Sequence, residues 1–340
     1  MIFRQLFDST SCTYTYLLAS RKGGEALLID PVVEKVDHYV RLLRELDLRL
    51  VKALDTHVHA DHVTALRALR DKTRCMTVMG EMSSADVVGM RVRDEESIHI
   101  EGIRLEVIYT PGHTDDSYSF LCDERVFTGD TLLIRGTGRT DFQNGDARAQ
   151  YDSIFNRLFK LPDWTQVYPA HDYKGDTVST IGEERAHNPR LQVSSIDEYV
   201  ELMAGLNLAY PAMIDVAVPA NRALAFDLEP LIEKGLTIEG AELSRRMRES
   251  SARLVDLRDP SERGTRGELD LAINLPYGQL ATDALMRIER TLHGVLPVFC
   301  CQYGEYSAMA AERARACGLK DAVFLLGGIE EWDDAPIIDT

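Results

Sequence analysis

The chain has 340 residues, of which 45% are hydrophobic and 27% charged, and its formal net charge is −17. This length and composition indicate a globular protein of about two domains and not a disordered chain. The acidic balance, with no block rich in Lys or Arg, argues against a nucleic-acid partner.

The sequence gives no sign of export or membrane insertion. Arg4 and Asp8 interrupt the N-terminal segment where a signal peptide needs an unbroken apolar run, and prolines and charges interrupt the apolar segment 206–226. The six cysteines show no paired framework, which is typical of a reducing compartment. We therefore expect a cytoplasmic protein with no membrane partner, and the sequence is compatible with a homo-oligomer.

The first part of the chain alternates strands and helices. Two β-rich segments, CTYTYLLAS and EALLIDPV, flank a turn at 21–24 and predict a hairpin. Apolar residues at three- and four-residue spacing predict a helix over 36–46, and a shorter helix is predicted over 63–70. Further strands are predicted in LRLVKALD, MTVMGE, IRLEVIYT, YSFLCD and ERVFTGD. The alternation predicts a layered α/β fold.

A second alternation of strands and helices begins near residue 237. Helices are predicted in AELSRRMRE, ATDALMRIERTL and SAMAAERARACG, and strands in RLVDLRD, LPVFCC and DAVFLLGG. The proline-bearing, rather apolar segment 210–235 precedes it and predicts a packed crossing segment. We therefore expect one domain over 1–236 and a second over 237–340.

The densest chemical signal is THVHADH, which follows the strand LRLVKALD. It places His57, His59, Asp61 and His62 within seven residues, and a hydrophobic core does not need imidazole and carboxylate at that density. A metal site is the simplest interpretation.

Three more candidate ligands follow predicted strands, each beside Gly or Pro: His113 in PGHT, Asp130 in TGD and His171 in PAHD. If all seven side chains bind metal, two cations could activate a bridging hydroxide for hydrolysis. If only His57, His113 and Asp130 bind, one metal is held by two imidazoles and one carboxylate, a set that favours non-haem Fe(II) oxygen chemistry. The ligands alone allow both.

These motifs, in this order, resemble the metallo-β-lactamase fold, which is an αββα sandwich. The run FTGDTLLIRGTGRTDFQ and the later EERAHNPRL and IDVAVPAN resemble the persulfide dioxygenases, also called sulfur dioxygenases, over residues 1 to 225. The resemblance implies Fe(II), one per chain, held by His57, His113 and Asp130. His59, Asp61, His62 and His171 would then surround the site or serve as alternative ligands of a second metal.

The resemblance also implies the substrates of this half. Glutathione persulfide would be oxidised by O2 to sulfite and glutathione, with Arg139 and Tyr173 holding the glutathione moiety. A guanidinium suits a peptide carboxylate because it can donate two hydrogen bonds. The structural alternative for Arg139 is a salt bridge within a turn.

A second reactive site is predicted at the end of the strand LPVFCC. Cys301 lies in a loop before a helix, where free amides and the helix dipole can stabilise a thiolate or persulfide. Cys300 would lie in the strand and Cys317 in the helix, so both have ordinary structural roles. The loop consists of Gln302, Tyr303, Gly304, Glu305, Tyr306 and Ser307.

The segments VDLRDPSERGTRGEL, AINLP, CQYGEYS and LLGGIEEW resemble a rhodanese domain, an α/β fold with a central parallel sheet. The resemblance implies that Cys301 is the nucleophile that accepts sulfur. The loop departs from the family at Tyr306, where many members have Arg, and Glu305 before it is acidic. It therefore offers no cation for thiosulfate.

Together the two sites predict a bifunctional enzyme of sulfur metabolism, a persulfide dioxygenase fused to a rhodanese. The rhodanese half would transfer sulfur between thiosulfate or sulfite and glutathione or its persulfide, in a direction that the sequence does not set. The alternatives are a thioester hydrolase with two metals, as in glyoxalase II, and a dioxygenase whose rhodanese half only binds or senses sulfur.

Overall fold

The computed structural model describes residues 1–338 except 87, 207, 210–212, 225–227, 259–266, 281 and 293. Parts of the crossing segment and of the first rhodanese-like segment therefore lie outside the described residues. The chain forms two compact units, residues 1–224 and residues 225–340. The boundary that the sequence predicts after residue 236 stays a prediction.

The first unit begins with a sheet whose hairpin has the predicted place. Its strands are β1 (Ile2–Asp8), β2 (Thr13–Ala19), β3 (Glu25–Ile29), β4 (Arg49–Leu54), β5 (Met76–Gly80) and β6 (Met90–Val92). They lie side by side in that order, antiparallel from β1 to β3 and parallel from β3 to β6. The helices α1 (Val36–Glu45) and α2 (Leu66–Thr73) connect β3, β4 and β5.

The second sheet follows along the chain. Its strands are β7 (Ser97–Ile100), β8 (Ile103–Tyr109), β9 (Tyr118–Cys122), β10 (Arg125–Gly129), β11 (Gln166–Pro169) and β12 (Ser179–Thr180). They also lie side by side in chain order, with β10 and β11 parallel and the other pairs antiparallel. The helices of this part are α3 (Ala147–Asp152), α4 (Ile181–His187), α5 (Ile196–Ala204) and α6 (Ile214–Arg222).

The two sheets pack face to face through aromatic rings. Phe3 and Tyr16 of the first sheet contact Phe127 and Tyr168 of the second, with ring centroids 5.0 to 6.3 Å apart. One hydrophobic cluster joins α1 and α2 to the outer face of the first sheet, and another joins the helical turns over 147–160, α4 and α5 to the second. This arrangement is the predicted αββα sandwich.

The second unit is built on a five-stranded parallel sheet. Its elements are α7 (Glu229–Glu233), β13 (Thr237–Ile238), α8 (Gly240–Arg248), β14 (Ala252–Asp256), β15 (Glu268–Leu269), β16 (Ile273–Asn274), α9 (Thr282–Leu292), β17 (Leu296–Cys300), α10 (Glu305–Ala316), β18 (Val323–Leu325) and β19 (Ile337–Ile338). The parallel order is β13–β18–β17–β14–β16, and β15 pairs with β19. The central parallel sheet was predicted correctly.

Two helix boundaries differ from the predictions. The helix after THVHADH begins at Leu66 and not at 63, because the main chain of Val63 and Thr64 pairs with another segment. The carbonyl of Val63 accepts from the amide of Val33, and Thr64 forms an isolated antiparallel bridge with Val32. The helix after Cys301 begins at Glu305, and Cys317 is the residue that caps its end. None of the helices in the described residues is long and apolar enough to cross a membrane.

Candidate functional sites

The seven candidate metal ligands of the first unit all follow strand ends. THVHADH follows β4, His113 follows β8, Asp130 follows β10 and His171 follows β11. Strand ends from two packed sheets thus deliver side chains to one place, as loops of a rigid scaffold commonly do. All but Asp61 and His113 are buried.

These residues separate into two groups of ligand atoms. His57, His113 and Asp130 form one group, and His59, Asp61, His62 and His171 form the other; within each group all candidate atoms lie within 4.8 Å of one another. The first group is the set of two imidazoles and one carboxylate that the family resemblance implies for iron. Its donor set fits a divalent transition metal with open positions.

Hydrogen bonds orient both imidazoles of the first group. His113 donates from Nδ1 to Arg139 O at 2.7 Å, which leaves Nε2 3.6 Å from Asp130 Oδ2. His57 Nδ1 lies 3.0 Å from Thr56 Oγ1. Burial, with the neighbouring His59 and His113, holds the pKa of His57 well below its usual range, so the ring is neutral and able to bind metal.

His171 stands between the two groups. Its Nδ1 lies 2.7 Å from Asp130 Oδ1, and its Nε2 lies 2.8 Å from Asp61 Oδ2. Burial alone would lower the pKa of His171, but the carboxylates of Asp130 and Asp61 raise it well above its ordinary value. Each ring nitrogen of His171 thus faces an oxygen of a carboxylate that is itself a candidate metal ligand.

Two nitrogens of the second group have no partner. His59 Nδ1 and His62 Nε2 are buried and lack a hydrogen bond among the described residues. His59 Nε2 is 3.1 Å from Asp30 Oδ1, and His62 Nδ1 is 2.8 Å from Asp61 Oδ2. Burying a nitrogen lone pair without a hydrogen bond costs free energy, and a bound cation would remove that cost. This group therefore has one feature of a cation site.

Asn221 holds the THVHADH loop in place and is not among the site residues predicted from the sequence. Its amide donates to the carbonyls of His59 and His62 at 2.9 and 2.8 Å and accepts from the amide of Thr64 at 2.8 Å. Asn221 is buried in α6, at the end of the IDVAVPAN run. The sequence signal that could have identified Asn221 is a polar residue at the end of an apolar helical segment.

A cavity of about 590 Å³ opens beside the first group. Asp61, His113, Asp130 and His171 line it, together with the predicted substrate residues Arg139 and Tyr173. The ring of Tyr173 stacks on His171, with centroids 6.1 Å apart and planes 5° apart. The cavity has room for a small peptide thiol.

Two arginines of this cavity differ in their partners. Arg139 makes a two-point ion pair with Asp141, at 2.6 and 2.8 Å, and donates to Ala209 O at 2.6 Å. Arg190 is half-buried and donates to the carbonyl of Thr137, but no ion pair joins it to a carboxylate of the described residues. The salt bridge within a turn that is the structural alternative for Arg139 is present. Arg190, in the segment EERAHNPRL, is a cation at the cavity that was not predicted from the sequence.

The second site is the loop between β17 and α10. Cys301 Sγ accepts from the amides of Gly304 and Ser307 at 3.2 and 3.4 Å, and the Ser307 hydroxyl lies 3.6 Å away. Burial raises the pKa of the Cys301 thiol, and the charge of Glu305 raises it further, while Ser307 and the amide of Gly304 lower it. Two main-chain amides thus donate to the same sulfur atom.

The other loop residues have structural contacts. Tyr306 is buried and packs edge-on against Tyr277, with centroids 4.7 Å apart. Gln302 donates to Glu330 Oε2 at 2.6 Å, and Tyr303 is exposed. Cys300 is buried in β17, where burial raises its pKa well above the ordinary value, so Cys301 is the reactive candidate of the pair.

Both units of the chain are similar to known protein families. Residues 13–171 match the metallo-beta-lactamase superfamily, and residues 239–335 match the rhodanese-like domain. A solved metallo-beta-lactamase from Staphylococcus aureus is 25% identical, covers 96% of this chain and 98% of its own, and gives a TM-score of 0.61. The chain is a metallo-β-lactamase-fold domain followed by a rhodanese-like domain, as predicted.

Two relatives narrow this class. The human mitochondrial persulfide dioxygenase ETHE1 is 46% identical over 65% of this chain and 87% of its own. The crystal structure of ETHE1 from Myxococcus xanthus is 54% identical, covers 66% of this chain and 99% of its own, and gives a TM-score of 0.64. The chain belongs to the persulfide dioxygenase family, and this membership implies a bound metal for which the candidate ligands are present.

Proposed function

We propose that the first unit oxidises glutathione persulfide with O2 to sulfite and glutathione, using one Fe(II) held by His57, His113 and Asp130. The observation that supports it most is the separation of these three ligands from the other four in a member of the persulfide dioxygenase family. The outer sulfur of the persulfide gives up the four electrons that reduce O2, and one water completes the release of sulfite. Fe(II), when bound there, would supply open positions for the sulfur and for O2 and would pass electrons between them.

The residues of the chain supply binding and orientation. Arg190, half-buried and without a carboxylate partner among the described residues, is placed to bind a carboxylate of glutathione with charge-assisted hydrogen bonds. Arg139 binds Asp141, so we assign it mainly to fixing the cavity wall and, through its carbonyl, the ring of His113. Tyr173, stacked on His171 at the cavity, provides an apolar face for the tripeptide.

We further propose that Cys301 carries sulfur in the second unit. In this step the S–S bond of the donor breaks, a new S–S bond forms at the Cys301 thiolate, and the donor leaves as a thiol or as sulfite. The amides of Gly304 and Ser307 stabilise the persulfide anion. Because the loop has Glu305 and no cation, a sulfur donor carried by a thiol suits the loop better than thiosulfate. In either direction of transfer, persulfide or sulfite is shared with the reaction proposed for the first unit.

A two-metal thioester hydrolase is the second candidate for the first unit. His59 Nδ1 and His62 Nε2 favour it: both are buried without a hydrogen bond among the described residues, and a second cation would satisfy both lone pairs. Membership of the persulfide dioxygenase family opposes it, since the human persulfide dioxygenase is 46% identical to this chain.

Metal analysis of anaerobically purified protein, combined with oxygen uptake on glutathione persulfide, separates the two candidates. We expect about one iron per chain and oxygen consumption. Two zinc ions per chain and cleavage of lactoylglutathione would contradict the dioxygenase.

For the second unit, intact-mass measurement after incubation with glutathione persulfide or thiosulfate should show one added sulfur atom. The added mass should disappear in Cys301→Ser and remain in the matched control Cys317→Ser. An added sulfur that survives Cys301→Ser would show that another residue is the acceptor, and no added sulfur on the native chain would favour a unit that only binds or senses sulfur.

A further inference from the structure

We propose that Thr56 is a positioning residue: its hydroxyl, fixed by Asp30, sets the tautomer of His57 so that Nε2 is free to bind the metal. The inference deepens the proposed function and rests on it. The arrangement that motivates it is a chain of three side chains, Asp30, Thr56 and His57, buried behind the metal ligands.

Asp30 determines which way the Thr56 hydroxyl points. The Thr56 amide donates to Asp30 Oδ1 at 2.7 Å, and the Thr56 hydroxyl donates to Asp30 Oδ2 at 3.1 Å. A hydroxyl has one proton, so after this bond its oxygen can only accept. The oxygen lies 3.0 Å from His57 Nδ1, which must therefore carry the proton of the neutral ring.

The hydroxyl has little freedom to turn away. The carbonyl of Thr56 accepts from the amide of Tyr118 at 2.9 Å, so both main-chain groups of Thr56 are held. Gly129, at a φ of +52°, lies so close that a Cβ there would be 2.7 Å from Thr56 Oγ1. Packing and hydrogen bonds thus fix one rotamer and one direction of donation.

The same carboxylate contacts the next histidine of the motif directly. Asp30 Oδ1 lies 3.1 Å from His59 Nε2, which leaves His59 Nδ1 as the nitrogen with the lone pair. The two alternating histidines of THVHADH therefore present different ring nitrogens. Their hydrogen-bond partners also differ: His57 Nδ1 contacts Thr56 Oγ1, and His59 Nε2 contacts Asp30 Oδ1.

The test compares Thr56→Val with Thr56→Ser in the full chain. Thr56→Val keeps the shape and removes the hydroxyl, while Thr56→Ser keeps the hydroxyl. The affinity for Fe(II), measured anaerobically on metal-free protein by competition with a chromogenic chelator, should fall about 10- to 100-fold in Thr56→Val. Thr56→Ser and the control Thr15→Val, which removes a buried hydroxyl that bonds Asp30 O and Tyr39, should stay near the native value.

Asp30→Asn gives a second, independent test. In this variant an amide nitrogen, which donates, replaces one carboxylate oxygen, which accepts. The Thr56 hydroxyl then no longer has to donate to residue 30, and its oxygen is no longer restricted to accepting from His57. We expect a comparable loss of Fe(II) affinity, with thermal unfolding of the metal-free protein recorded as the measure of folding.

The outcomes separate this inference from the proposed function. A native chain that does not bind Fe(II) contradicts the proposed function itself. A native chain that binds Fe(II), together with a folded Thr56→Val that binds it equally well, overturns only the role of Thr56. Equal losses in the Val and Ser variants would also overturn it, because they would show that packing and not the hydroxyl matters.

Discussion

The histidine site of residues 1–224 and the cysteine loop of residues 225–340 hold their reactive atoms in different ways. The first collects side chains from the ends of four strands in two sheets, and other side chains such as Thr56 and Asn221 orient them. The second uses the main-chain amides of one short loop around Cys301. Substitutions of side chains should therefore damage the first site, whereas the second should respond most to changes of its cysteine and its backbone.

The largest effect is expected from His57→Ala. It removes one of the three proposed protein ligands, so the affinity for iron should fall by more than the about 10- to 100-fold that follows from losing a hydrogen-bond partner of a ligand. Iron content and oxygen uptake on glutathione persulfide should fall together. His38→Ala, at an exposed histidine that contacts Arg41, is the matched control. Iron and activity retained by His57→Ala would mean that another histidine holds the metal.

A smaller effect is expected from Arg190→Gln. Loss of a hydrogen-bonded charge costs about 1.5–3 kcal/mol, so the KM for glutathione persulfide should rise about 10- to 100-fold with a smaller change in kcat. Arg139→Gln is the comparison, because Asp141 already binds that guanidinium. A larger rise of KM in Arg139→Gln would reverse the two assignments and favour the role that the sequence resemblance implies.

Gly304→Ala tests the contribution of the backbone at the second site. Gly304 has a φ of +108°, where an alanine is strained, and its Cβ would lie 3.3 Å from the amide nitrogen of Gly327. Strain of this kind costs about 1–3 kcal/mol, enough to slow sulfur transfer to Cys301 about tenfold if the amides move.

Gly318→Ala is the matched control for that variant. It has a similar φ of +112° at the other end of α10, with no atom within 4 Å of an added Cβ. It should lower the melting temperature without slowing the transfer. Equal rates in the two variants would show that the amide of Gly304 does not assist the sulfur.

Much of this difference between the sites can be read from the sequence. THVHADH, PGHT, TGD and PAHD predict the fold and the ligands, because a buried group of imidazoles and carboxylates has few uses other than metal binding. The parallel sheet of the second unit follows from alternating helical and strand periodicity. The sequence does not show which ligands group together, because that depends on the distances between strand ends.

The residues that orient or line the sites were harder to predict from the sequence. Asn221 lies far along the chain from the loop it holds. Arg190 resembles any surface arginine in the sequence, and only the structure places it at the cavity, with no carboxylate of the described residues as its partner. Arg139 has a partner two residues away, Asp141, but its two-point geometry depends on the fold of the turn. Contacts made through long-range packing leave no periodic signal.

The smallest effect is expected from Glu305→Gln. The negative charge of Glu305 raises the pKa of Cys301 and repels an anionic donor, and an exposed or partly exposed charge of this kind contributes about 0.2–1 kcal/mol, or up to about a fivefold change in rate. The rate of sulfur transfer from thiosulfate should therefore rise slightly, and the gain should shrink at high salt. Transfer from glutathione persulfide should change less, because its sulfur-bearing end carries less charge than thiosulfate.

Glu312→Gln is the matched control. Glu312 is exposed on the same helix, so this variant removes the same charge farther from the loop and should leave both rates unchanged. Equal gains in both variants would mean that the net charge of the helix, and not the position of Glu305 beside Cys301, selects the donor.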